Sequence, residues 1–231
     1  MFRYQEEQKY KNFGTEFKDN IDVYWNDDYD LADTVGWDQR YDHEASIISD
    51  IIETCGIKKV LELGSGPGTL ATKILNKVEG VNYFMIDGKG ACNAHARRNN
   101  KGSIIEKNLY DSFDTSGLDS DFDLIIANDF LEHIRNPSLI LEKSRELTSD
   151  NSWFFVSSPN WRMKHRFYYP GLFDFDNLVK FFWQESYSVV NIFPSWSNHV
   201  FIKAPRLNSE SQVPEGHIYD WNYYLLFKKV T

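Results

Sequence analysis

The stretch that most limits what this chain can fold into is VLELGSGPGT, Val60 to Thr69, followed by an apolar run closing on one acid, MID, at Asp87. It reads as a buried strand, a glycine-punctuated turn, a helix opening near Thr69, a second strand and a carboxylate at its tip. That order is the first half of a βαβ unit. Gly64 lets the backbone turn sharply off the strand, where a Cβ would clash. Gly66 and Gly68 let main chain approach a ligand closely, and Pro67 between them pre-sets the turn. The spacing departs from the dinucleotide fingerprint, because Thr69 stands where that pattern has its last glycine. On its own the triplet reads as a tight turn plus an acid opening the next helix, so the rest of the chain has to decide.

The rest continues the alternation. Ala45 to Thr54, apolar at Ile47, Ile48, Ile51 and Ile52, predicts an amphipathic helix leading into the first strand. Further helices are expected at Thr69–Val78, Ala91–Asn99 and Pro137–Leu147, and strands at Val81–Ile86, near Ile104–Glu106, at Phe122–Ala127 and at Trp153–Ser157. The tail predicts a helix around Asp176–Trp183 and strands around Tyr187–Ile192 and Tyr223–Lys228. Strands alternating with helices imply an α/β fold, a Rossmann-like doubly wound sheet, mostly parallel, with helices on both faces. The connection Phe193–Trp221 is long enough to read as a functional loop rather than a spacer.

Length and composition fit one domain. A chain of 231 residues buries a full core and leaves material for a lid over the sheet. We divide it into an N-terminal lid or extension (1–42), a cofactor-binding core (43–192), and a long loop with the last strand (193–231). A net charge of -9 and a pI near 5.2 argue against a broad phosphate-binding surface, so nucleic acid is disfavoured as a partner. Cys55 and Cys92 suggest neither a disulfide framework nor a metal site. No signal-peptide pattern and no bilayer-length apolar run stand out, which makes the cytoplasm the default location and a membrane partner unexpected.

A second constellation sharpens the reading. The run DFDLIIANDFLEHIRNPSLILEKSRELTSDNSWFFVSSPN contains a strand, a short Leu131–Glu132–His133 element, a helix, and a strand ending in Ser158–Pro159–Asn160. With the glycine loop and Asp87 at the right separation, the chain resembles the class I S-adenosylmethionine-dependent methyltransferases over roughly Ser46 to Val190. The LEH and SPN pair resembles the small-molecule branch that includes ubiquinone-biosynthesis-like O-methyltransferases.

The resemblance implies the family's antiparallel C-terminal strand, S-adenosylmethionine as cofactor, and a set of contacts. Donors at the helix start near Thr69 would face the methionine carboxylate, with Glu62 accepting from its amino end. Gly64, Ser65, Gly66 and Gly68 would form the cradle, and Asp87 would accept from the two ribose hydroxyls. The family commonly has an acid after the third strand; here Asn108, followed by Leu109, would meet the adenine, with Asp111 as a fallback. Asn108 reads equally as a loop residue satisfying its own backbone. Asn128, at the end of the fourth strand, would face the methionine portion.

Methyl transfer to a hydroxyl needs a base, because the acceptor's proton must leave as attack proceeds. His133 is the first candidate, because the unperturbed pKa of histidine lies near neutrality, and Asp129 is the second. The alternative for His133 is a histidine near a helix start held by Glu132 or a backbone group. His165 and His199 rank below these. Trp25, Trp37, Trp161, Arg162 and Tyr168 are candidates for the acceptor pocket, since aromatics with polar tips stack on rings and sugar faces. A lid packed on its own core is the competing account of most of these aromatics. For Arg162, Lys164 and Arg166 it is a solvated basic face.

Absences narrow the chemistry. The Asn/Asp–Pro–Pro–aromatic signature of base-amino and glutamine methylation is replaced by Asn128–Asp129–Phe130–Leu131, and neither cysteine stands where pyrimidine C5 chemistry needs a nucleophile. The expected reaction is in-line transfer of a methyl group to an O or N atom of a small molecule. A protein or glycan acceptor and a silent cofactor-binding module are the alternatives. A dehydrogenase is the competitor from another class, and Thr69 argues against it.

Overall fold

The computed structural model describes residues 37–109, 112–159, 175–193 and 222–230. Among these residues, five longer helices flank one sheet: α1 (Trp37–Cys55), α2 (Thr69–Leu75), α3 (Lys89–Arg98), α4 (Pro137–Leu147) and α5 (Phe175–Gln184). The strands are β1 (Lys59–Leu63), β2 (Asn82–Asp87), β3 (Ser103–Glu106), β4 (Phe122–Asn128), β5 (Thr148–Pro159), β6 (Tyr187–Phe193) and β7 (Asn222–Lys229). A 3₁₀ turn, Leu131–His133, follows β4.

The sheet order is β3-β2-β1-β4-β5-β7-β6. Strands β1 to β5 pair in parallel, whereas β7 pairs antiparallel with both β5 and β6. The expected doubly wound sheet with an antiparallel C-terminal strand is therefore present. The chain moves outward from β1 to β3, then returns to set β4 against the other side of β1. Between β1 and β4 the order reverses, and the crevice beyond their carboxyl ends is where such sheets take ligands.

Alternate residues along each strand enter opposite cores. One face buries Leu61, Leu63, Ile125, Ala127, Phe154 and Phe227 with α4 and α5. There Phe182 stacks on Phe227 with ring centroids 4.1 Å apart and meets Phe154 edge-on at 5.1 Å. The other face buries Val60, Leu124, Ile126, Phe155 and Leu226 under Ile47, Ile48, Ile51 and Ile52 of α1 and Leu70, Ala71 and Ile74 of α2.

Element boundaries show what local pattern can and cannot reveal. Helix α4 has the expected ends because its start is chemically marked: Asn136 accepts from the Leu139 amide at 3.3 Å, and Pro137 occupies the first turn. Helix α1 begins at Trp37, eight residues before the apolar stripe that predicts it, since its first turns are held by polar partners distant in sequence. Strand β5 starts at Thr148 instead of Trp153: its polar first half pairs back to Phe122 across a register shift. Helix α2 is shorter than expected and ends in a turn at Asn76. No helix among the described residues is long and apolar enough to cross a membrane.

Candidate functional site

The glycine loop leaves β1 at the crevice. Gly64, Gly66 and Gly68 have φ of +67°, +54° and +79°, in the left-handed region that glycine enters without steric cost. A Cβ on Gly64 would come within 2.2 Å of the Phe130 ring, and one on Gly68 within 2.7 Å of the His95 ring. The loop is thus pressed against the segment after β4 on one side and against α3 on the other. The Gly64 amide donates to Ile86 O at 2.9 Å, and Asn100 Nδ2 donates to Pro67 O at 2.6 Å, tying the loop to the β2 side of the sheet.

Asp87 sits at the tip of β2 as expected and clasps that loop. Its Oδ2 accepts from the Gly66 amide at 2.7 Å and its Oδ1 from the Gly88 amide at 2.6 Å. Burial pushes the carboxyl up to about 6, and the two amides oppose the shift. Each oxygen keeps a lone pair for a ligand hydroxyl. Glu62, buried in β1, accepts from Tyr83 Oη at 2.9 Å; burial pushes it up to about 8, with Asp87 and Glu44 adding repulsion.

Across the crevice, β4 ends in Asn128 and Asp129. Asp129 has φ +47°, a conformation held by Ser157 of β5. The Asp129 amide donates to Ser157 Oγ at 2.8 Å, and that hydroxyl donates to Asp129 Oδ1 at 2.8 Å. Asp129 Oδ2 pairs with the Arg40 guanidinium. Arg40 also donates from Nε to Glu44 Oε1 at 2.6 Å, and Tyr224 of β7 donates to the same oxygen at 2.9 Å. Glu44 Oε2 accepts from Asn128 Nδ2 at 2.9 Å. Helix α1, β4, β5 and β7 therefore meet in one buried polar network at the carboxyl end of the sheet.

The structure brings Glu62, Gly64, Ser65, Gly66, Gly68, Thr69, Asp87, Asn128 and Asp129 to this crevice rim. Ser65 is buried in the loop, its hydroxyl directed at Gly66 O, 3.2 Å away. Asn108 is exposed just beyond β3, while Leu109 beside it is buried; Lys107 N donates to Asp87 O at 2.9 Å and holds that segment against β2. His133 closes the 3₁₀ turn, its amide donating to Phe130 O at 3.0 Å. Glu132 beside it is buried, and its carboxyl oxygens accept no side-chain hydrogen bond among the described residues. Burial and the nearby Asp129 charge push the Glu132 carboxyl well up from the ordinary carboxylate range. Trp37 is the first residue of α1, one turn from Arg40. Trp25, Trp161, Arg162, Tyr168, His165, His199 and Asp111 lie outside the described residues.

Sequence reading missed Arg40, Glu44, Tyr83, Ser157 and Tyr224. The spacing of Arg40 and Glu44, four residues apart, was the one local signal for a helical ion pair ahead of the isoleucine stripe. Nothing local connects either to Asn128 or Tyr224.

A family model described as a methyltransferase domain matches residues 37–190. No curated protein matches the chain in sequence. Among solved structures, the CcbJ methyltransferase from Streptomyces caelestis aligns with a TM-score of 0.64 at 12% identity, covering 90% of this chain and 98% of that one. The plantazolicin methyltransferase BpumL, in complex with a monoazolic desmethylPZN analog and SAH, aligns at 0.59 with 16% identity over 88% of each chain. Magnesium protoporphyrin IX methyltransferase (ChlM) from Synechocystis PCC 6803, with bound SAH, aligns at 0.58 with 12% identity over 87% and 91%. At these identities the likeness is one of fold.

Proposed function

Because the chain belongs to the methyltransferase domain family, we propose that it is an S-adenosylmethionine-dependent methyltransferase acting on a small molecule or natural-product intermediate. The observation that carries the reading is the clasp between Asp87 and the Gly66 amide at the sheet's switch point. It joins a glycine cradle, which a Cβ at Gly64 or Gly68 would obstruct, to a carboxylate with acceptor capacity left for two ribose hydroxyls. Buried Asn128 Oδ1, an acceptor with no donor among the described residues, fits the methionine end.

The cofactor supplies a methyl group already activated on a sulfonium, so the protein's work is alignment and exclusion of water. Gly64, Ser65, Gly66, Gly68 and Thr69 would hold the methionine part with Glu62 and Asn128. Asp87 would hold the ribose, and Asn108 with Leu109 the adenine. His133 is the base we assign for an O–H or N–H acceptor. Asp129 is the weaker choice, since Arg40 and Ser157 already engage its carboxylate. Trp25, Trp37, Trp161, Arg162 and Tyr168 remain our candidates for the acceptor wall. The Leu131–Glu132–His133 and Ser158–Pro159–Asn160 elements support the small-molecule branch resembling ubiquinone-biosynthesis-like O-methyltransferases.

Calorimetric titration of wild type and Asp87→Ala with S-adenosylmethionine and with NAD tests the reading. We expect wild type to bind the sulfonium cofactor and the variant to bind it at least about tenfold more weakly, the cost of a lost charged hydrogen bond. Binding of NAD alone, or of neither ligand by folded protein, would overturn it.

A further inference from the structure

Glu44 is fully buried on α1, and the Asn128 amide is oriented by it. The oxygen and nitrogen ends of an amide have nearly the same shape, so hydrogen-bonding chemistry decides which way it faces. A carboxylate beside a guanidinium accepts and does not donate, so Glu44 Oε2 takes the amide's N–H at 2.9 Å. Rotating the amide by half a turn would set two acceptors against each other with no proton between them. Oδ1 is therefore pinned on the side away from Glu44, where it is buried and takes no hydrogen bond among the described residues. Leaving a buried acceptor in that state is unfavourable, because it has lost water and gained no donor. This one lies at the carboxyl end of β4, next in register to the start of the glycine loop, where a ligand's donor would satisfy it.

We propose that Glu44 is a positioning residue for cofactor binding: it locks the Asn128 amide with its oxygen toward the crevice, as acceptor for the ammonium group of the cofactor's methionine end. The inference rests on the reading of S-adenosylmethionine as the cofactor. Glu44 itself touches no ligand. Arg40 keeps its carboxylate paired, and Tyr224 fixes the rotamer from β7.

The test is a binding cycle read by calorimetry, with no turnover required. S-Adenosylhomocysteine carries the ammonium group; 5′-methylthioadenosine shares the adenosine and the sulfur but lacks the amino acid. Glu44→Gln removes the constraint, because its amide pairs with Asn128 in either orientation. We expect Glu44→Gln and Asn128→Ala each to weaken S-adenosylhomocysteine about 10- to 100-fold, as for a lost charge-assisted hydrogen bond. Both should leave methylthioadenosine unchanged, and the double variant should bind no more weakly than Asn128→Ala alone. Additive losses, or an equal loss for methylthioadenosine, would overturn the proposal, since a merely structural Glu44 acts without Asn128. Glu44→Asp keeps the charge beside Arg40 but withdraws the carboxylate by one methylene, and it serves in the same cycle if Glu44→Gln does not fold. A wild type that binds neither ligand removes the cofactor reading itself, and this inference with it.

Discussion

At the residue scale, the chemistry of the site rests on carboxylates with different tasks. Asp87 is tuned by burial to about 6 while two backbone amides hold it in place. In the proposed role, its ionised form is the one that offers acceptors to both ribose hydroxyls. Affinity for S-adenosylhomocysteine should therefore hold above pH 6 and fall below it, by up to about tenfold per pH unit. Asp87→Asn should bind weakly throughout and lose that dependence, as titrations at pH 5 and pH 7.5 would show. An affinity that is flat across this range in wild type would mean Asp87 is not the ribose acceptor. Asp87, Gly64, Gly66 and Gly68 were legible because their reasons are local: each glycine occupies left-handed backbone, and the acid ends a strand. Glu62 was legible as a residue, but its partner Tyr83 was not, because the two meet only through strand pairing.

At the scale of elements, α1 does two jobs. Its isoleucines cover one face of the sheet, as the apolar stripe predicts. Its first turns carry Arg40 and Glu44 to the ends of β4 and β7, which no stripe reveals. Arg40→Ala would leave the buried Glu44 and the partly buried Asp129 without their cation. Breaking a buried pair in this way costs about 3–5 kcal/mol, measurable by chemical denaturation at pH 7.5. Lysine at this position should restore only part of the loss, because an ammonium cannot match the fork that reaches both acids. A cost under about 1 kcal/mol, typical of exposed pairs, would show that the network does not hold α1.

At the scale of the molecule, the described residues bury several carboxyls raised in the same direction: Glu44, Glu62, Asp87 and Glu132. Burial is the leading cause for each. For Glu62 and Asp87, between the ordinary carboxylate range and the raised value, the folded state holds a proton that the unfolded chain has lost. Stability should therefore fall as pH rises, for Glu62 up to about 8 and for Asp87 up to about 6. Denaturation midpoints from pH 6 to pH 9 should decline in wild type and decline less in Glu62→Gln; parallel slopes would refute this role for Glu62. By itself the sequence determined the order of strands and helices, the doubly wound class and the glycine–acid pair. Those depend on period, turn chemistry and spacing along the chain. Only the tertiary structure decided how far α1 and β5 extend, that Asp129 is engaged by Arg40, and that Glu44 orients Asn128. Each of these is a partnership across the sheet, Glu44 with Tyr224 spanning 180 positions, and no local pattern encodes a contact that exists only once the strands have paired.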